Sequence, residues 1–399
     1  VVAGLALYFS NRSSGLNEKY NTLSADSRDR AWTRPSPSPG WILEAGAASQ
    51  EYQAALDDMA CQVELDAPEL PDAINAYRDA KLPLVAGCDS AMCRAINACR
   101  GSLLRLQRGA RMRNSRSLLH VWNSWRVNPK NGNLDGIVTV VRLGILAGAD
   151  ARRRRAWGDL AGALRYAQDV SRGASLIGVM ISVATAGAIL SDLHAALERG
   201  EIDAAGRATL AAELRYLDQD EPSLQSMFEG ERLVMFSALL GEDVLRPPHG
   251  FPPGSMSQGG VLESVMLKDL ADRQWSMWDS MEQHAASSYP ERAANYEKIA
   301  DAASSSINPL VRVGMAAYGR YDEKYTVNLS SRRLLLAALG DGAVRDPLTD
   351  APYRRTESGG KVTFESTILD SPDNPVADQS GGPTATLRIT FSATRPTSP

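Results

Sequence analysis

The sequence is poor in the residues that commonly mark catalytic or metal sites. It contains 4 cysteines and 4 histidines in 399 residues, and no histidine has a second histidine or a carboxylate at a metal-binding spacing such as H-E-x-x-H. The nucleophile motif G-x-S-x-G, the phosphate-binding loop and the dinucleotide motif G-x-G-x-x-G are absent too. The chain therefore lacks the common signatures of hydrolases, nucleotide-binding proteins and metalloenzymes.

The chain also lacks an excess of positive charge. Its 43 Lys and Arg against 47 Asp and Glu give a formal net charge of −4, which argues against a surface built throughout to bind nucleic acid. With 32 glycines and 21 prolines, the composition excludes collagen-like and disulfide-dense small proteins. Because 44% of the residues are hydrophobic, we expect a folded core. The length of 399 residues indicates two or three domains or one elongated helical array.

Helical periodicity dominates from about residue 47 to residue 340. We predict short-linked helices that pack as antiparallel neighbours, so the fold class is mainly α, an antiparallel helical bundle or hairpin array. The predicted helices cover 48–63, 90–111, 114–127, 134–149, 153–171, 174–199, 203–218, 223–241, 260–287, 291–319 and 326–339. A helical domain at 47–245 and a second helical layer at 261–340 are separated by a proline- and glycine-rich loop at 246–260.

Two helical segments carry further signals. Residues 157–167 resemble the second half of a tetratricopeptide unit, which implies one TPR-like hairpin, but no second copy follows at the repeat spacing. Residues 173–191 hold no charge and are long enough to be considered as a membrane span. Because the helical pattern continues through Asp192, His194 and Glu198, we favour a buried central helix.

Beyond Gly340 the pattern changes to a period of two. Apolar and polar residues alternate at 361–368 and at 384–391, and a candidate third strand lies around 352–356. We expect a small antiparallel β appendage in the C-terminal region 341–399, laid against the helices because a lone hairpin is only marginally stable.

The N-terminal residues suggest a location. The apolar run 1–9 is too short to span a bilayer, which needs about 20 residues, but it ends in an aromatic pair followed by Arg12, as trailing halves of membrane helices do. We interpret 1–15 as a membrane-anchor remnant and 16–46 as a linker. The alternative is an apolar segment docked on the core. We therefore expect a single N-terminal anchor in a bacterial inner membrane, with the body in the periplasm.

All four cysteines lie close together in sequence, at Cys61, Cys88, Cys93 and Cys99. In a body outside the cytoplasm, this pattern indicates two disulfides. Cys93 and Cys99 stand about 240° apart on one predicted helix and should not bridge each other. Cys99 then pairs with Cys61 or with Cys88, and we favour Cys61–Cys99 with Cys88–Cys93. Free buried thiols and a metal site are the alternatives, although the spacings differ from C-x2-C.

Charge is polarised along the chain. Residues 44–72 hold eight acidic residues and no basic one, whereas 94–166 hold 15 basic residues and three acidic ones. One interpretation is a face for an anionic partner such as lipid headgroups, polysaccharide, nucleic acid or an acidic protein, with Arg152, Arg153, Arg154 and Arg155 as its candidates. The other, which we favour, is that the acidic segment packs beside the basic helices and the rest of the charge is solvated.

The segment from Asp346-Pro347 through Pro352-Tyr353 and 362–366 to the acidic loop at 370–374 resembles the C-terminal part of type II secretion major pseudopilins. A similar tail occurs in uncharacterised, membrane-anchored, helix-rich bacterial proteins, to which the chain is most similar. The resemblance covers about 50 of the 399 residues. In pseudopilins the loop binds calcium, which implies a calcium site here or else a simple polar turn. The implied ligands are Asp370, Asp373, Asn374 and Asp378.

Three functions follow as hypotheses. The first is a membrane-tethered, extracytoplasmic helical scaffold or binding module of an envelope or secretion-type assembly, without catalysis. Its partners would be other envelope proteins and, through the N-terminal helix, the membrane; we expect no nucleic acid and identify no small-molecule substrate. The second is a hydrolase or lyase of an envelope polymer that uses Glu229 or Glu231. The third is a pilin-related filament subunit with an inserted helical domain.

Overall fold

Helices make up most of the structure, a computed structural model that describes residues 31–34, 44–84, 90–116, 135–172, 176–240, 261–306, 318–370 and 387–392. The mainly α fold class is therefore confirmed. Within these residues the helices are α1 (Ala48–Leu56), α2 (Met59–Leu65), α3 (Leu70–Ala80), α4 (Ala91–Ala98), α5 (Arg100–Ala110), α6 (Asp135–Arg154), α7 (Trp157–Ser171), α8 (Leu176–Glu198), α9 (Ala204–Gln219), α10 (Leu224–Leu240), α11 (Val261–His284), α12 (Tyr289–Ser304) and α13 (Tyr318–Ala338).

The acidic segment contains more helix breaks than its periodicity predicts. The predicted helix 48–63 is two helices, because Asp58 caps a new start: its Oδ1 accepts hydrogen bonds from the backbone of Ala60 at 3.1 Å and of Cys61 at 3.4 Å. Helix α3 was not predicted. It buries Leu70, Ile74 and Tyr77 at helical spacing.

A small mixed sheet lies where we predicted a linker and the start of a helix. Strands β1 (Ala31–Thr33), β2 (Glu44–Ala47) and β3 (Met112–Arg116) have the order β1-β3-β2, with β1 antiparallel and β2 parallel to β3. The predicted linker 16–46 thus contains strands, and the predicted helix 114–127 begins as strand. Gly46 has φ +144° and the Met112 side chain lies against it, so the turn in β2 requires glycine.

Helix α8 is the central helix of the larger core. It packs against α6, α7 and α13. Gly178–Glu198 is long and apolar enough to cross a membrane by length and composition, but 72% of its most apolar window is buried inside the protein. Its burial matches the central bundle helix that the sequence predicts, and it gives no support to the predicted N-terminal anchor, which lies outside the described residues.

Helices α10, α11 and α12 build a second, aromatic core with the start of α13. The ring of Trp278 lies 5.8 Å from that of Phe228 and 4.8 Å from that of Tyr318, and Trp275 and Tyr296 join the same cluster. T-shaped and tilted ring contacts of this kind add to simple apolar burial. The core is therefore held by large rings from at least three helices.

The C-terminal strands form the predicted antiparallel appendage. Strands β4 (Arg354–Ser358), β5 (Lys361–Glu365) and β6 (Arg388–Ser392) are ordered β4-β5-β6, and every pair is antiparallel. One face buries Val362, Ile389 and Phe391 in the larger core, and β6 contacts α8. The period-two pattern thus gave both the strands and their docking on the helices.

Candidate functional site

The cysteines join the first helices of the body covalently. Cys61 of α2 and Cys99, which links α4 to α5, form a disulfide with Cα atoms 4.4 Å apart. Of the two partners that the spacing left open for Cys99, this is the one that we favoured. Cys93 is disulfide-bonded as well, and its predicted partner, Cys88, lies outside the described residues. The described cysteines therefore act as covalent cross-links and not as nucleophiles.

The first of the four candidate arginines is an internal residue. Arg152 is 1% exposed. It contacts both carboxylate oxygens of Glu201, at 2.8 and 3.0 Å, and Asp192 at 3.1 Å, while Tyr77 donates to Asp192 at 2.9 Å. Burial raises the pKa of Asp192 to about 6, although Arg152 acts in the opposite direction. Arg152 therefore links α6 to α8. Its assignment to an anionic-partner face was wrong, because its charge is paired inside the protein.

The other three arginines differ from Arg152. Arg153 and Arg154 both contact Asp150, at 2.6 and 2.8 Å, so they serve first to neutralise an acid on their own helix. Arg155 is exposed and takes a left-handed backbone conformation, with φ +56°. The four consecutive arginines do not form one continuous cationic face, since a helix distributes neighbours around its circumference.

The predicted calcium ligands cannot be assembled from the structure. Asp370 ends a short 3-10 helix, Thr367–Asp370, and Asp373, Asn374 and Asp378 lie outside the described residues. No group of three or more His, Cys, Asp or Glu suited to a metal occurs in the part of the chain that the structure describes. The calcium site remains a prediction.

The Asp-Pro turn of the pseudopilin-like segment has a structural role. Asp346 is buried, and its Oδ1 accepts hydrogen bonds from Ser330 Oγ at 2.7 Å and from the backbone of Leu348 at 3.0 Å. Ser366 donates to its other oxygen, and the Tyr353 hydroxyl donates to the Ser330 carbonyl at 2.8 Å. The turn thereby fastens the β appendage to α13.

A carboxylate cluster surrounds a buried arginine between α10 and α11. Arg232 Nη2 contacts Asp279 at 3.0 Å and Glu282 at 2.8 Å, and its guanidinium lies 4.6 Å from the centre of the Trp275 ring. Burial raises the pKa of Glu282 to about 7; Arg232 opposes this, and the charges of Glu229 and Asp279 add to it. Glu282 was not singled out by sequence, because its partners lie on another helix.

The two glutamates proposed from sequence, Glu229 and Glu231, are both partly buried. Glu231 accepts a hydrogen bond from the backbone of Leu176, at the start of α8, at 2.8 Å. Burial raises its pKa, and the bond to Leu176 acts in the opposite direction. Glu231 thus satisfies one of the unpaired amides at a helix N-terminus.

A second charge network, centred on Asp169 of α7, escaped sequence analysis. Its Oδ1 contacts Arg172 Nε at 2.9 Å, its Oδ2 accepts from Tyr52 at 2.7 Å, and Arg34 binds the same oxygen. Arg172 also reaches Asp220. The only local signal was the three-residue spacing of Asp169 and Arg172; the other partners come from β1, α1 and the end of α9. All of these side chains are enclosed, which indicates a structural role.

An exposed arginine face lies on α5 and the residue after it. Residues 91–116 contain seven arginines and no acidic residue. Several of these arginines are exposed, and we call the four on α5 and the residue after it the arginine face: Arg100, Arg105, Arg108 and Arg111. Leu104, in the middle of this stretch, is 65% exposed. The sequence analysis included these residues in the basic segment 94–166 but named only the later arginines.

Carboxylates neutralise the arginine face only in part. Glu51 is shared by Arg105 at 3.5 Å and Arg108 at 3.6 Å. Asp159 is shared by Arg111 at 3.2 Å and Arg154 at 3.0 Å. Because each of these acids contacts two arginines, positive charge remains in excess on this face. In the buried networks, by contrast, positive charge is not in excess. The acidic segment thus pairs with part of the basic segment, and the arginine face is otherwise exposed to solvent, as the favoured interpretation expects.

Comparisons of the chain with family models, with curated proteins and with solved structures found no match. The function must therefore be argued from the arrangement of the residues.

Proposed function

We propose that the protein is a non-catalytic, extracytoplasmic helical binding module of a bacterial envelope or secretion-type assembly, tethered to the membrane by its N-terminal segment. The tether itself is inferred from the apolar composition of residues 1–9. The module would present its outer helical faces to envelope proteins, while its buried charges hold the helices together.

The observation that carries this proposal is the disulfide between Cys61 and Cys99. Disulfides persist in oxidising compartments such as the periplasm and are rare in the cytosol. Here the bond ties α2 to the α4–α5 junction, and Cys93 is disulfide-bonded too. Two cross-links in one short helical segment support a body that folds outside the cytoplasm.

The packing of α6, α7 and α5 supports a binding module. Gly162 on α7 leaves room for Gln107 of α5, whose side-chain amide donates to the Asp159 carbonyl at 2.7 Å. Small residues that let helices approach closely are typical of tetratricopeptide hairpins, and α6 packs directly against α7, so we interpret α6–α7 as one such unit. Proteins of that kind bind partners through exposed helical faces.

Thiol trapping in cells tests the location. A thiol-reactive polymer is added to cells with and without prior reduction, and the mass shift on a gel is compared. We expect no shift before reduction and a shift by four labels after it. Four labels without reduction would contradict the proposal. Fractionation with carbonate washing tests the tether separately, since a peripheral protein would be released.

The carboxylate cluster around Arg232 favours a second candidate, a hydrolase of an envelope polymer. Glu282 has a pKa of about 7, which suits a general acid near neutral pH. The test is release of soluble fragments from a dye-labelled cell-wall polymer by the wild type and by Glu282→Gln. Activity lost in that variant and kept in Glu365→Gln would establish the enzyme; no release by the wild type would rule it out.

A further inference from the structure

We propose that the arginine face, with Leu104 at its centre, docks on an anionic phospholipid surface. The inference rests on the proposed function for the presence of a membrane beside the protein, and it deepens that function by naming the surface the module uses. The binding chemistry itself belongs to the described residues and can be tested with purified protein.

The first argument is the geometry of α5. Arg100, Leu104, Arg108 and Arg111 follow one another at intervals of four, four and three residues, which places them on one side of the helix over about 17 Å. The opposite side is buried, with Leu103, Leu106 and Ala110 in the core. The helix is thus fixed in orientation, and its cationic side faces outward as part of a folded body.

The second argument is the charge balance. The shared contacts leave Arg105 and Arg108 only one partial partner, Glu51, at distances above 3.4 Å. Arg100 has no ion pair among the described residues. Arginine is suited to phosphate because its planar guanidinium donates two parallel hydrogen bonds. An array of such groups with surplus charge matches a surface of phosphate headgroups.

The third argument distinguishes lipid from nucleic acid. Residues 90–116 contain no phenylalanine, tyrosine or tryptophan, whereas single-stranded nucleic acid is usually held by aromatic side chains that stack on the bases. The face instead exposes Leu104, an aliphatic side chain set among arginines. Cationic side chains are attracted to anionic headgroups, and an exposed apolar side chain among them can be buried at the acyl boundary of the bilayer.

The test is co-sedimentation of the full-length protein with vesicles of phosphatidylcholine, either alone or with about one third phosphatidylglycerol. Each arginine near an anionic bilayer contributes about fivefold in partitioning. We expect the triple variant Arg100→Gln, Arg105→Gln, Arg108→Gln to bind the anionic vesicles roughly a hundredfold more weakly. Because residues 1–9 are the same in all variants, a difference in vesicle binding is due to the arginine face.

The control is a second triple variant with the same loss of charge elsewhere: Arg320→Gln, Arg345→Gln, Arg355→Gln, all exposed in the structure. It should bind like the wild type. Leu104→Gln should weaken binding about five- to tenfold, and Leu82→Gln, at another exposed leucine, should leave it unchanged. Far-ultraviolet circular dichroism verifies that each variant is folded.

Two results would overturn the proposal. One is equal binding of the face variant and the control variant to anionic vesicles. The other is tighter binding of the wild type to a single-stranded oligonucleotide than to vesicles, with no effect of Leu104→Gln, which would identify nucleic acid as the partner. Because all of these measurements use purified protein, their failure leaves the thiol-trapping result, and with it the proposed location, intact.

Discussion

The two helical cores treat buried polar groups differently. In the larger core, built mainly from α1–α9, every buried side chain of the Asp169 network reaches an oppositely charged group or a hydrogen-bond partner, although the Nε of Arg34 has none among the described residues. In the smaller core of α10–α12, Gln274 is 0% exposed and neither of its amide atoms has a hydrogen-bond partner in the described part of the chain. Trp278 Nε1, one helical turn away, also has no partner there.

The difference concerns what holds each core together. A buried amide without a partner costs about 1–3 kcal/mol, whereas a buried pair that is complete costs little but is expensive to break. The larger core should therefore be sensitive to the loss of single charged groups. The smaller core contains a complete buried pair, Arg292 with Asp322, but at Gln274 it should tolerate, or gain from, the loss of the polar group.

The largest expected effect is the loss of the charge at the centre of the larger core. Asp169→Asn removes the counter-charge of Arg34 and Arg172 at once, leaving two enclosed guanidinium groups without it. We expect the free energy of unfolding to fall by about 4 to 5 kcal/mol, measured by urea denaturation. The matched control is Asp350→Asn, whose partner Arg345 is exposed; it should cost less than about 1 kcal/mol. Similar losses in both variants would contradict the assignment.

The disulfide is expected to contribute nearly as much. Cys61 and Cys99 are 38 positions apart, and closing a loop of that length constrains the unfolded chain by about 4 kcal/mol. Double replacement, Cys61→Ser with Cys99→Ser, should lower stability by that amount in thermal or urea unfolding. Addition of reductant should then have little further effect through this pair. An unchanged unfolding midpoint would show that the bond is not formed in solution.

Local periodicity accounts for the helices and strands that the sequence could predict. The helix predicted at 203–218 is Ala204–Gln219 in the structure. The predicted strand 361–368 contains β5, and the predicted strand 384–391 overlaps β6 except for its last residue. These elements alternate or repeat over enough residues to be recognised, and their ends carry ordinary signals such as the cap Asp203, whose Oδ1 accepts from Gly206 at 2.7 Å.

The remaining features depend on contacts between distant positions. Arg34 and Asp169 are 135 positions apart, and Tyr52 and Asp169 are 117 apart, so no local pattern reveals the network. Strand β1 has three residues and pairs with β3 across the whole acidic segment. The burial of Arg152 is a similar case: four consecutive arginines look alike in sequence, and only the neighbouring α8 distinguishes the first of them.

A pH titration gives the next largest effect. His194 is enclosed between α8 and α13, and burial lowers its pKa to about 4. The unfolded chain takes up the proton near pH 6.5 and the folded chain only near pH 4, so stability present above pH 6.5 is lost as the pH falls. The full loss is about 3 kcal/mol.

His194→Gln isolates this contribution. Asp192 and Asp220, whose pKa values burial raises to about 6, act in the opposite direction and favour the folded state as the pH falls from about 6 towards 4. Their contribution cancels in the difference between the wild type and the variant. That difference in unfolding free energy should shift by about 3 kcal/mol between pH 7 and pH 4. A difference that stays constant would show that His194 has the same pKa in the folded protein as in the unfolded chain.

The smallest expected effect is a change in stability that has opposite signs in the two cores. Gln274→Met removes two unpaired polar atoms from the smaller core at nearly constant volume and should raise stability by about 1 kcal/mol. Gln168→Met makes the same change in the larger core, where the amide donates to the Leu217 carbonyl at 2.9 Å and to Glu221 at 2.7 Å; it should lower stability by about 1–3 kcal/mol. Urea denaturation of both variants shows whether the free energy of unfolding rises in one and falls in the other. If Gln274→Met also lowers stability, Gln274 has a polar partner in solution, such as ordered water, and the contrast between the cores disappears.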